Sequence, residues 1–290
     1  PEVIGGHYLQ LRVGFEEQIA QLGGTSLVLT RDRASYCREH GQLPPLAGIF
    51  AFSEFLNQEL LIWGKEDRIP LVNFDGCVED PIHADRVSFD DTDGGRQATQ
   101  HLISLGYRQI AFVALHRSND IASLPWSTER EAGWREALAE IGQPTDGLIF
   151  HPETLISHTY DRNTTVLEYA RQLANTLLLR TDITAVITAN DDLALYLIEM
   201  FKEIGLPTTQ WPALIGFDNS PRAASEFQLS SLRLPWEDLG REAAMLLWQR
   251  SHGKVNGAPQ HHRVHMSLIA RFTSHRNWSL LSHSTTSPRS

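Results

Sequence analysis

Ala213-Leu214-Ile215-Gly216-Phe217-Asp218-Asn219-Ser220 is the stretch that decides the fold. An unbroken apolar run that stops at polar turn formers is the pattern of a strand buried on both faces, as in a parallel sheet. Its carboxyl end delivers Asp218, and open α/β sheets bind ligands outside the carboxyl ends of their strands. Further on, Leu232-Arg-Leu-Pro-Trp-Glu-Asp-Leu-Gly-Arg-Glu-Ala-Ala-Met-Leu-Leu reads as an amphipathic helix with its start signal.

Working outward, the same alternation repeats. Short apolar runs predict strands over residues 26–29, 48–52, 70–74, 86–89, 110–114, 185–188 and 213–217. Between them lie helices with readable punctuation. The first runs from Tyr8 to about Leu22. Asp90-Asp-Thr-Asp-Gly-Gly opens another that ends at Leu105 before Gly106. Ser127-Thr-Glu-Arg130 opens a third that stops near Gly142, and Asp191 begins one that ends at Gly205 before Pro207. Asp90 and Asp191 are read most simply as helix caps. Strands alternating with helices predict an α/β fold with parallel sheets. The first helix arrives almost at once, since Pro1 to Ile4 is too short for a confident strand. No fixed-period repeat is present, and residues 279–290, rich in Ser and Thr, read as a frayed tail.

The 290 residues, 41% hydrophobic and 21% charged, suffice for two domains and a sizeable core. A formal net charge of −10 argues against this chain gripping a phosphate backbone by itself. Two cysteines, Cys37 and Cys77, suit a reducing cytoplasm at least as well as one disulfide. No apolar run is long enough to span a membrane. The start, Pro1-Glu-Val-Ile-Gly-Gly, lacks the features of a signal peptide and an initiator Met, so an upstream segment is expected.

Four polar residues share one place in the pattern. Asp75, Asn190 and Asp218 each follow an apolar strand, and Arg130 lies in the first turn of the helix reached from the 110–114 strand. Two carboxylates, a carboxamide and a guanidinium suit the hydroxyls of a sugar-like ring. Tyr8, Phe52 and Trp126 offer aromatic faces for its C–H side. The plain alternatives are a cap for Asp218, surface pairing of Arg130 with Glu131 or Glu136, and core packing for Trp134, while Trp236 and Trp248 read as core or interface. His261, His262 and His265 have no acid or Cys at ligand spacing and read as a solvated strand edge. Asp90-Asp-Thr-Asp-Gly is too short for a calcium loop, no Gly-rich phosphate loop is present, and no Ser has a nucleophile-elbow context. Neither cofactor nor metal nor catalysis is expected.

In order and spacing, several motifs resemble the effector-binding core of LacI/GalR-family transcriptional regulators over about residues 5–274. They are Gly14-Phe-Glu; Val87-Ser-Phe-Asp90 with Gly94-Gly and His101-Leu-Ile-Ser-Leu-Gly-Tyr-Arg; Arg130-Glu-Ala-Gly-Trp-Arg-Glu-Ala-Leu; Ala189-Asn-Asp-Asp; Ile215-Gly-Phe-Asp218; Leu239-Gly-Arg-Glu-Ala-Ala; and Leu268-Ile-Ala-Arg-Phe-Thr-Ser.

The resemblance implies a type I periplasmic binding protein-like fold, with two interleaved three-layer α/β/α subdomains. Residues 1–89 plus 235–263 would form one, and 90–234 plus 264–278 the other. It implies effector contacts at Arg130 and Asp218, and often at Asp75 and Asn190. Tyr8, Phe52 and Trp126 match lining positions that vary with the effector, and an aromatic at 126, where small residues are common, suggests ring stacking. It further implies a cytoplasmic homodimer. A sugar or sugar-like effector would close the cleft between subdomains and control operator DNA binding through a helix-turn-helix headpiece outside this chain. The competing expectations are an exported sugar-binding protein of an ABC importer and, more remotely, a glycoside-processing enzyme.

Overall fold

The computed structural model describes residues 6–52, 68–74, 84–118, 124–152 and 162–275. The chain divides into two compact units, Pro1–Phe89 with Pro235–Val264, and Asp90–Leu234 with His265–Ser290. It therefore passes from one to the other three times.

The first unit is a parallel sheet with strand order β1-β2-β3-β9, namely Ile49–Phe52, Leu71–Phe74, Asp85–Phe89 and His261–Val264. Val264 pairs with Phe89 at the end of that ladder and so stays with this unit. Helix α8 (Trp236–Ser251) packs on all four strands, and α1 (Gly6–Gln21) crosses α8. The crossing is close because each helix brings a glycine to it. A Cβ on Gly240 would collide with the Leu11 carbonyl and come within 2.7 Å of Phe15 N, and one on Gly14 would collide with the backbone of Glu237. Buried Asp85 ties the sheet to α8 through a two-pronged ion pair with Arg250 at 2.7 Å. Helix α2 (Arg31–Glu39) is capped by Thr30 and carries Cys37, a buried free thiol.

The expected strand at 26–29 does not form. Residues 24–30 are irregular, and Leu27 and Val28 are each 58% exposed. An apolar run becomes a strand only beside a partner for its N–H and C=O groups. Among the described residues the edges of this sheet are β1, which pairs with β2 alone, and β9, which pairs with β3 alone.

The second unit is a six-stranded sheet in the order β10-β8-β7-β6-β4-β5. Strands β4 (Ile110–Val113), β6 (Ala185–Thr188) and β7 (Ala213–Phe217) form its centre and are buried at every residue. Both faces being covered explains why these read as unbroken apolar runs. Four further strands form outside the apolar runs, and of these the sequence points only to β9, as a solvated strand edge at His261 and His262. They are the two-residue β5 (Ile149–Phe150), the Ser-rich β8 (Ser230–Arg233), the His-rich β9 of the first unit, and β10 (Ser267–Ile269), which pairs antiparallel with β8. Helices α3 (Asp91–Ser104) and α4 (Pro125–Glu140) cross tightly, again on paired glycines. A Cβ on Gly133 would strike the Thr92 carbonyl and one on Gly95 the Arg130 carbonyl. Helices α5 (Arg162–Leu179) and α6 (Asp191–Glu203) form the other pair, and α7 (Pro221–Phe227) follows β7. Trp134 is core, fully buried with its indole N–H donating to the Ile110 carbonyl at 3.1 Å.

Candidate ligand-binding site

Three of the polar residues singled out from the sequence lie at the carboxyl ends of neighbouring strands of the second unit. Arg130 is reached from β4, Asn190 follows β6, and Asp218 follows β7. Helix α4 begins at Pro125, so Arg130 sits in its second turn, not its first. Pro at the first helical position needs no hydrogen-bond partner for its nitrogen, and this moves the start ahead of Ser127.

Arg130 is 3% exposed, and its surroundings differ from a solvated surface pair. Its Nε donates to Asp91 Oδ1 at 2.7 Å and its Nη1 to the Ala189 carbonyl at 2.5 Å. The guanidinium carbon lies 4.8 Å from the centre of the Trp126 ring and 4.2 Å from that of Phe217. Asp91, not Glu131 or Glu136, is thus its acid. The flat cation is held by two rings, a carboxylate and a carbonyl.

The strand that opened the reading ends in a strained turn. Asp218 has φ +108° and Asn219 φ +51°, both in the region that favours glycine. Such residues persist only when their surroundings hold them, and they cluster at ligand sites. The supports are visible. Asp218 N donates to the Leu232 carbonyl at 2.9 Å, Asn219 N to Ser231 Oγ at 2.9 Å, and Arg271 Nη2 to Asn219 Oδ1 at 2.6 Å. Burial pushes the Asp218 carboxyl up to about 8. Arg130 pulls it down, while Asp191, Asp192 and Asp91 push it up. Near neutral pH it can therefore donate a hydrogen bond as well as accept one.

Asp191 is not the cap of α6. Asn190, in extended backbone, caps it by accepting from Leu193 N at 3.0 Å. Asp191 is the first helical residue and is fully buried. Its carboxylate accepts from Ser220 N and from Ser231 Oγ, both at 2.7 Å, which ties α6 to the β7 turn and to β8. Burial pushes it up to about 6, against the two hydrogen bonds. Asp90 does cap its helix, accepting from Asp93 N at 3.1 Å.

In the first unit, half-buried Tyr8 on α1 meets Trp236 edge-on at 6.4 Å. Trp236 also contacts Phe74 at 5.5 Å and Phe89 at 4.8 Å, so aromatic rings gather at the carboxyl ends of β2 and β3. The Trp236 indole N–H is buried and has no hydrogen-bond partner among the described residues. The sequence pointed to Tyr8 but not to this ring beside it. Of Phe52 only the backbone, as the last residue of β1, is described, and Asp75 lies outside the described residues. The three C-terminal histidines do not converge. His261 Nε2 lies 2.8 Å from Ser88 Oγ, His262 Nδ1 2.6 Å from Glu242 Oε1, and His265, mostly exposed, 3.6 Å from Asp90.

Two α/β units sharing one chain, with polar groups gathered at the strand ends of one of them, define a class of ligand-binding core. Residues 99–274 match the periplasmic binding protein-like domain. The chain belongs to that family, and within it resembles the effector-binding cores of LacI-type transcriptional regulators. It is 34% identical over 173 residues to the HTH-type transcriptional regulator CelR of Thermobifida fusca, a match covering 58% of this chain. The matched stretch spans only 46% of that relative's length. Among solved structures, a CelR–cellobiose complex superposes with TM-score 0.70 at 26% identity, covering 92% of this chain and 79% of that one. A LacI-family regulatory protein from Chloroflexus aggregans gives TM-score 0.73 at 25% identity, covering 93% of both. The relatives are transcriptional regulators, not enzymes. No helix among the described residues is long and apolar enough to cross a membrane.

Proposed function

We propose that this chain is the sugar-sensing core of a transcriptional regulator that works in the cytoplasm as a homodimer and catalyses nothing. The observation that carries the reading is the Arg130 site. A buried guanidinium gripped by Trp126, Phe217 and Asp91 adjoins a carboxyl in a strained turn and the amide of Asn190. Planar donors, carboxyl groups and aromatic faces are what polyhydroxylated rings require. The CelR relative, whose complex holds cellobiose, supports a sugar as the effector.

In this reading Arg130 and the Asn190 amide donate to ring oxygens, Asp218 accepts from or donates to a hydroxyl, and Trp126 packs on the C–H side. Tyr8, Phe52 and Asp75 are proposed as further effector contacts. The effector acts only through unequal affinity for two states of the core. The two states are read out at operator DNA by the helix-turn-helix that the relatives' names record. Two half-sites tolerate a narrow spacing between DNA-binding elements, so a small rearrangement of a dimer suffices.

The test is a titration of the full chain with cellobiose, arabinose and ribose, followed by tryptophan fluorescence and calorimetry. Saturable binding is expected for at least one sugar, with at least a tenfold loss in Asp218→Asn and Trp126→Ala at unchanged circular dichroism. Binding that survives both substitutions would refute the site, and no binding of any of the sugars would refute the effector class. A persistent monomer in sedimentation would favour an exported binding protein instead.

A further inference from the structure

A second cluster of side chains in the same unit lies outside the ligand site and was not visible in the sequence. His116 follows β4, His151 follows β5, and Glu131 lies on α4. One ligand atom from each lies within 4.8 Å of the others. Glu131 Oε2 is 3.1 Å from His116 Nε2 and 3.9 Å from His151 Nε2. The two rings meet edge to face at 4.9 Å. His116 is fully buried, and its Nε2 has no hydrogen-bond partner of acceptable direction despite the short approach to the carboxylate.

The outer contacts of all three residues anchor the atoms that face away from the cluster. His151 Nδ1 lies 3.2 Å from the His116 carbonyl, which can only accept, so Nδ1 donates outward and Nε2 is the ring nitrogen turned toward Glu131. His116 Nδ1 lies 2.9 Å from Ser127 Oγ, which also accepts from Leu115 N at 3.2 Å. Arg135 Nε holds Glu131 Oε1 at 2.7 Å and so presents Oε2 to the histidines. Three potential ligand atoms converge with their other atoms anchored, which is the arrangement of metal ligands with their supporting hydrogen bonds. Zinc–ligand bonds of about 2.0–2.1 Å in a tetrahedron put ligand atoms roughly 3.3–3.4 Å apart. The two distances of 3.1 and 3.9 Å bracket that spacing.

We propose that His116, Glu131 and His151 bind one divalent transition-metal ion, zinc first, and so clamp the ends of β4 and β5 to α4. Two imidazoles and one carboxylate suit zinc, cobalt or nickel and disfavour magnesium and calcium, which take oxygen ligands. Three protein ligands leave a fourth position to water. Glu131 is the residue after Arg130, so the ion would brace the turn of α4 that carries the sugar-site arginine.

The experiment measures Zn²⁺ binding to the full chain by competition with a chromophoric chelator, and the visible spectrum of the Co²⁺ form. One ion per chain is expected, with an intense tetrahedral cobalt band. His151→Gln and Glu131→Gln should abolish both, Ser127→Ala should weaken binding by about 10–100-fold, and His262→Ala should change nothing. His116→Ala empties a fully buried position, so the half-buried His151→Gln decides if that variant fails to fold. No saturable zinc binding would mean that protons alone satisfy the cluster, and binding that persists in His151→Gln and Glu131→Gln would place the ion elsewhere. Either result overturns the proposal.

Discussion

Replacing Arg130 with Met tests whether the centre of the proposed sugar site is also a structural keystone. The Arg130 and Asp91 side chains are 4% and 1% exposed and lie 2.7 Å apart. Removing one partner of such a buried pair costs about 3–5 kcal/mol, because the other charge is left uncompensated. Met keeps the apolar stem but not the cation over Trp126 and Phe217, which adds about 0.5–1 kcal/mol per ring. The expected loss is roughly 4–7 kcal/mol, and the Ala189 carbonyl also loses its donor. For a unit of this size each kcal/mol lowers the melting temperature by about 2–4 °C, so a fall of at least ~8 °C is expected. Urea denaturation of Arg130→Met, Asp91→Asn and the double variant closes a thermodynamic cycle. The double variant should be less destabilised than the sum of the singles by about 0.5–3 kcal/mol. A single-variant loss below about 1 kcal/mol, or strict additivity, would refute the buried pair. Loss of sugar binding in Arg130→Met alone therefore proves nothing about the site, and Asp218→Asn is the cleaner probe.

Gly133→Ala should lower the urea midpoint, since the new Cβ meets the Thr92 carbonyl and lies 2.7 Å from Arg96 N, at a cost of about 1–3 kcal/mol; a gain in stability, the usual result of Gly→Ala within a helix, would show that α3 and α4 are not in close contact. Ser231→Ala should cost about 1–3 kcal/mol in the same assay, because it takes a donor from buried Asp191 and an acceptor from Asn219 N; a neutral result would mean that water replaces the hydroxyl. The raised acids set a pH dependence. In the folded state Asp218 (about 8) and Asp191 (about 6) hold protons that the unfolded chain releases near 3.8, so their contribution is full below that value and is lost as pH rises toward 8 and toward 6. Asp218→Asn should thus gain stability relative to the parent between pH 4 and 8, and parallel pH profiles would count against a raised Asp218.

Strands β4, β6 and β7 were legible because burial on both faces writes itself as an apolar run. The run at 26–29 carries the same signature and forms nothing, since composition records a preference for burial but not a partner. The opposite failure is β8, where Ser230 and Ser231 are fully buried yet polar. Each is satisfied by a side chain distant in sequence, Ser231 by Asp191 and Ser230 by Ser274. Nothing local signals that pairing.

The candidate site failed to be legible in a narrower way. Asp90, Asp91 and Asp93 all read as acids for a helix start, and only the fold separates the cap, Asp90, from the partner of Arg130, Asp91. At α6 the same order recurs, with Asn190 as the cap and Asp191, which reads from the sequence as the cap, buried against β8. A shift of one residue exchanges the two roles, and helix boundaries read from sequence are uncertain by that much. Chemistry and neighbourhood were readable, since acid, amide and arginine do gather at adjacent strand ends. What the sequence could not supply was the division of labour. Asp91 neutralises the arginine, Asp191 holds the turn, and Asp218, kept in a strained conformation and pushed up to about 8, is the carboxyl we propose for the ligand. An acid pinned in that state is costly to the fold, and a ligand hydroxyl bonded to it would return part of that cost on binding.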